Sequence, residues 1–157
     1  MNTLQQIESQ ISALNDLIRI NNDRIKGYKK RIDFAMDSDL DEAFSAFIYQ
    51  SRKFVNELTL YVRRLGGQPA DGTSLPGKFY LAWTDIRTNF VKKDRDSLID
   101  YTKFSEEVAA GAYSKALKDG DIVWSDWKMV VMLLRHLRLL NNAFHQAQHL
   151  RSRPVAS

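Results

Sequence analysis

Cysteine is absent from the 157 residues of this chain. That excludes disulfides, a thiolate nucleophile and any zinc or iron–sulfur centre held by cysteine, and it fits a reducing compartment. Long apolar stretches are missing as well: the longest purely apolar run, MVVMLL at 129–134, is far too short to cross a bilayer. The N-terminal stretch MNTLQQIESQ is polar and carries an acid, so no secretory signal is visible and a cytoplasmic location is expected. Acidic residues disappear after Trp127, leaving Lys128, Arg135, Arg138, Arg151 and Arg153 with the three histidines, His136, His145 and His149. The net charge of +4 is mild. Cations gathered in the second half of a helix suit its macrodipole, so this asymmetry alone does not require an anionic partner.

What is present is heptad periodicity. Leu4, Ile7, Ile11, Leu14, Ile18, Asn21, Ile25, Tyr28, Ile32 and Ala35 follow steps of three and four, with Asn21 the single polar member. Such a seam predicts a long helix over about 4–35 that packs on other helices. The segment DSD at 37–39 ends it, and Ser38 or Asp39 is placed to cap the next helix. Leu40, Phe44, Phe47, Ser51, Phe54, Leu58, Tyr61 and Leu65 form a second seam over 39–65, again with one polar break. GGQP at 66–69 stops that helix, glycine suiting the left-handed cap and proline forbidding continuation.

A third helix over 94–118 has a weaker seam of Leu98, Tyr101, Ser105, Val108 and Ala112. The fourth, over 121–150, has Val123, Trp127, Val130, Leu134, Leu137, Asn141, Phe144 and Gln148, followed by a frayed tail at 151–157. The long link between helices two and three is a crossover. It carries its own stripe, Phe79, Trp83, Ile86 and Phe90, which predicts a short helix over 77–90 opened by Pro76. The expected fold is therefore one all-α domain over 1–150. It is an up-down four-helix bundle whose single long crossover, between helices two and three, is the ferritin-like form.

The segments LNDLIRINNDRIKGYKK (14–30), QSRKFVNEL (50–58), RRLGGQP (63–69) and AWTDIR (82–87) resemble an uncharacterised bacterial family described as ferritin-like four-helix bundles of unknown function. The resemblance implies the ferritin-like fold and no established activity.

Bundles of that form often hold two irons or manganeses, using one glutamate from each of two helices and Glu-x-x-His from each of the others. No E-x-x-H occurs in this chain, the last glutamate is Glu107, and the first two helices have no histidine. Asn21, Ser51 and Ser105 fall at similar depth, so the expectation is a small neutral hydrogen-bonded layer that sets helix register. His145 and His149 share one helix face but sit beside the seam, with Gln146 where the zinc-protease helix has glutamate. They read as solvated side chains, and His136 as a boundary residue. The basic run RIKGYKKR, from Arg24 to Arg31, reads as a solvated face, and Gly27 and Gly111 as places of close packing, for example under the crossover helix.

The expectation for function is a non-catalytic structural or interaction protein with no cofactor, linked to stress only by ferritin-like analogy, and capable of dimerising through the crossover face or helix one. The alternative is an incomplete metal site built from Glu106, Glu107 and His136, with the exposed pair His145 and His149 a weaker candidate. Nucleic acid is not the expected partner. Anionic-surface or nucleic-acid binding through the basic faces stands as a third reading, marked by steep salt dependence.

Overall fold

The computed structural model describes residues 2–33, 37–74, 94–119, 122 and 126–152. They form four α-helices: α1 (Thr3–Ile32), α2 (Ser38–Arg64), α3 (Arg95–Lys118) and α4 (Trp127–Ser152). Three of the boundaries follow from local chemistry, whereas α2 starts after Asp37 with no side-chain cap, not at a cap of Ser38 or Asp39. Asn2 and Gln5 close a reciprocal capping box on α1, with bonds of 2.8 and 3.0 Å. Asp94 caps α3 by accepting the Ser97 amide at 2.8 Å. After α2, Gly66 adopts φ +83. Its N–H bonds the Arg63 carbonyl, and that of Gly67 bonds the Val62 carbonyl, the paired pattern of a glycine-terminated helix.

Side-chain contacts give the topology. Tyr28, Arg24 and Asn21 of α1 meet Phe44, Phe47 and Ser51 of α2 in opposite chain order. The same three meet Tyr101, Glu106 and Tyr113 of α3, again in opposite order. Arg95 at the start of α3 reaches the Leu150 carbonyl near the end of α4, and Glu57 of α2 pairs with Arg135 of α4. The helices thus form a ring in the order α1, α2, α4, α3, with every neighbouring pair antiparallel. Because α2 and α3 run the same way, their link must travel the length of the bundle. Its first stretch does so along α1. Asn15 holds the Gln68 carbonyl and the Ala70 amide, Asn22 holds the Gly72 carbonyl, and Asp23 holds Ser74. The expected crossover helix at 77–90 lies outside the described residues, as do residues 153–157 of the expected tail.

Two apolar clusters fill the interior. One gathers Leu14, Ile18, Phe54, Leu58, Ala109, Tyr113, Met129 and Leu133; the other gathers Tyr28, Phe44, Phe47, Leu98, Ile99, Tyr101 and Leu150. The α1 and α2 seams face inward over their central turns as their periodicity predicts, although Leu4 lies 65% exposed. Of the expected α4 seam, Val130 is buried and Leu137 and Phe144 are half-buried, Val123 lies outside the described residues, and the rest does not face inward. Trp127, Leu134, Asn141 and Gln148 are exposed, and the buried line is Met129, Leu133, His136, Leu140, Ala143, Ala147 and Leu150. The α3 seam also needs correction: Val108 is only half-buried, whereas Glu106, Ala109 and Tyr113 are buried.

Candidate functional site

A belt of polar side chains separates the two apolar clusters. Asn21, Arg24, Ser51, Ser105, Glu106 and His136 are all 0% exposed. At its centre is an ion pair. Arg24 donates from Nε to Glu106 Oε2 at 2.7 Å and from a terminal nitrogen to Glu106 Oε1, the bidentate geometry that suits guanidinium and carboxylate. Its other terminal nitrogen donates to Ser51 Oγ at 2.8 Å and to the Phe47 carbonyl at 3.2 Å, and the Phe47 ring lies 5.2 Å below the guanidinium. Burial works against the charge on Arg24, but Glu106 more than restores it, so its pKa stands above the ordinary arginine value.

From Arg24 a chain of hydrogen bonds crosses all four helices. Ser51 accepts from Arg24 and donates to Asn21 Oδ1 at 2.8 Å. Asn21 Nδ2 donates to the Leu17 carbonyl at 2.8 Å and to the Tyr113 hydroxyl at 3.0 Å. Tyr113 therefore spends its own proton on His136 Nδ1, 2.8 Å away. This assigns His136 as the neutral tautomer protonated on Nε2, because its Nδ1 must be free to accept the Tyr113 proton. Its Nε2 faces Glu57 Oε2 at 3.5 Å, too long for a good hydrogen bond, and the imidazole stacks on Phe54 with centroids 3.9 Å apart. Burial pushes His136 down to about 4, with Glu57 opposing and Arg135 assisting. Burial likewise pushes Tyr113 well up, so it stays a neutral donor. The chain ends at His136, and the half-buried Glu57 stands beyond it toward solvent. Burial would raise that carboxyl, but the hydrogen bond and charge of Arg135 together with the neighbouring His136 outweigh it and hold the pKa below the usual range.

Several sequence expectations change here. The layer is not neutral: Asn21 and Ser51 are joined as expected, but around a buried ion pair. Arg24 is not on a solvated face. His136 is not a boundary residue but a fully buried one. Glu106 points inward, whereas Glu107, one residue on, is exposed, so the two do not form one site. Ser105 lies in the layer beside the Tyr28 and Tyr101 phenols, yet its hydroxyl makes no hydrogen bond of normal geometry among the described residues. His145 and His149 are exposed on the outer side of α4. Gly27 is indeed a close approach, but α3 makes it: a Cβ there would stand 1.8 Å from the Tyr101 hydroxyl. Gly111 has open space around it.

The signal for the missed pair was present. Arg24 lies three residues after Asn21 and four before Tyr28, on the same stripe. Glu106 likewise lies four after Thr102 and three before Ala109.

A pair of divalent ions at the centre of a bundle needs several carboxylates and inward imidazoles with free lone pairs. Among the described residues Glu106 is the one fully buried carboxylate, and both of its oxygens are taken by Arg24. His136 Nδ1 is taken by Tyr113. The donor set does not fit a dinuclear centre, and no three histidine or carboxylate side chains among the described residues are placed to hold a single ion. No described helix is long and apolar enough to cross a membrane.

No curated protein and no solved structure matches the chain. The model of the domain of unknown function DUF2383 matches residues 9–119, and the chain belongs to that family.

Proposed function

We propose that this is a non-catalytic four-helix scaffold of ferritin-like topology that works by presenting its surface to a partner. The observation that carries the reading is the Arg24–Glu106 pair. The guanidinium is a resident cation, fixed by a bidentate carboxylate in the polar belt between the two apolar clusters. A belt whose charges already cancel has no deficit for an added ion to fill, and a divalent ion beside Arg24 would meet like charge at low dielectric. The hydrogen-bond chain from Arg24 to His136 then serves register: it fixes how the two helix hairpins meet, because a slip of either would leave several buried polar groups unpaired, each costing about 1–3 kcal/mol. A place in stress physiology rests on ferritin-like analogy alone.

The test is elemental analysis of untagged protein from cells grown with added iron, manganese and zinc. The expected result is a metal content far below one ion per chain after dialysis. Stoichiometric iron, manganese or zinc that survives dialysis, and that is lost with Glu106→Gln, would overturn the reading in favour of a metal-binding bundle.

A further inference from the structure

Over its first two turns α4 is apolar on two sides. Its inner line is buried, yet Trp127, Val131 and Leu134 on the opposite side are 67%, 44% and 41% exposed. A helix segment apolar on opposite sides ordinarily lies between two neighbours, and here one side faces outward. The outward residues are spaced by four, three and four along Trp127, Val131, Leu134 and Arg138, the spacing of a coiled-coil seam.

We propose that a second copy of this chain covers that face, α4 packing antiparallel on α4 about a two-fold axis. The stripe is self-complementary about the midpoint between Val131 and Leu134. A two-fold there sets Val131 of one copy on Leu134 of the other, and Trp127 of each copy against Arg138 of the other. The ends of the contact are thus an indole and a guanidinium, a favourable cation–π pair, rather than like charges. α4 has no acidic residue, so Arg138 has no carboxylate on its own helix, and the neighbouring Arg135 is already neutralised by Glu57. Isologous two-fold contacts are the commonest way for identical chains to pair. A contact of one helix on one helix falls at or below the roughly 1,200 Å² that bounds stable complexes, so the expected dimer is weak and concentration-dependent. This names a partner for the interaction role proposed above and rests on that role, but not on what fills the interior.

Sedimentation equilibrium on the full chain, from micromolar to millimolar, is the test. The expected result is a rise from the 18.1 kDa chain mass to twice that value. Leu134→Glu should abolish the rise while leaving the far-ultraviolet circular dichroism and melting transition intact. Trp127→Lys, which sets a second cation against Arg138, should weaken dimerisation at least tenfold more than Trp127→Glu, which sets an anion there. A chain that stays monomeric throughout, a dimer indifferent to Leu134→Glu, or equal effects of the two Trp127 variants would overturn the proposal. So would anionic phosphatidylglycerol vesicles that bind the wild-type chain as a monomer and not Leu134→Glu, since the face would then belong to a lipid surface. Metal content, measured on the same samples, keeps this result separate from the preceding one: a metal-free monomer refutes the dimer alone.

Discussion

Removing one partner of the central ion pair should cost far more than removing both. In Arg24→Met the Glu106 carboxylate loses both of its donors inside a belt that is 0% exposed. Breaking a buried pair from one side costs about 3–5 kcal/mol, and the lost bonds to Ser51 Oγ and the Phe47 carbonyl add roughly 1 kcal/mol each. Glu106→Leu strands the guanidinium and should cost a similar 3–5 kcal/mol, though Ser51 and the Phe47 carbonyl still accept from it. The double variant replaces two opposed charges by two apolar chains of comparable length, and such exchanges are often neutral. Its net cost should be about 1–2 kcal/mol, from the unmet Ser51 and Phe47 acceptors. The coupling energy, the excess of the two single losses over the double, is then about 6 kcal/mol or more. Urea denaturation followed by far-ultraviolet circular dichroism, for the wild type, both single variants and the double, gives all four corners of the cycle. Single variants that each lose less than about 1 kcal/mol, or losses that simply add, would refute a desolvated pair, because an exposed ion pair behaves in that way.

Acid should weaken the fold through His136. Its pKa is 6.5 when unperturbed and about 4 in the folded chain, so between those values the unfolded chain binds the extra proton. Stability from this group is complete above pH 6.5 and falls as pH drops toward 4, a loss of about 3 kcal/mol at about 1.4 kcal/mol per unit. Urea midpoints across that window should fall more steeply for the wild type than for His136→Phe, and identical slopes would contradict the assignment. Gly27→Ala should destabilise by about 1–3 kcal/mol through overpacking on Tyr101, despite alanine's better helix propensity. Adding Tyr101→Phe should recover much of that loss, since the phenolic oxygen is the nearest atom; no recovery in thermal melts would place the strain elsewhere.

The architecture was legible where periodicity is carried by large apolar residues. The α1 and α2 seams run through Leu14, Ile18, Phe44, Phe54 and Leu58, and those residues are buried. The length of the link after α2 likewise implied a crossover, and the antiparallel ring requires one. Phase was lost where two apolar faces compete on one helix. On α4 the bulky Trp127 and Leu134 outweigh Ala143, Ala147 and His136 in any hydrophobicity count, yet the small residues and the histidine face the core. Small residues let α3 and α4 approach closely, and they leave little trace in a pattern of large ones. The polar layer was legible through Asn21 and Ser51, which interrupt otherwise apolar seams. Its charge was not, because an arginine in RIKGYKKR and one of two adjacent glutamates look like surface residues until a tertiary partner is supplied. Each is tolerable in the interior only because of the other, and a one-dimensional pattern does not hold that pairing.

The account stands on Arg24 being the cation at the middle of the bundle. Its side-chain Nε–H resonance reports this directly, in ¹⁵N-labelled untagged protein assigned with Arg24→Lys. The predicted spectrum has a slowly exchanging Arg24 Nε–H signal, protected by the bond to Glu106 and unchanged when one equivalent of paramagnetic Mn²⁺ is added. A rapidly exchanging signal, or one that Mn²⁺ broadens away together with the neighbouring Asn21 and His136 resonances, would contradict it.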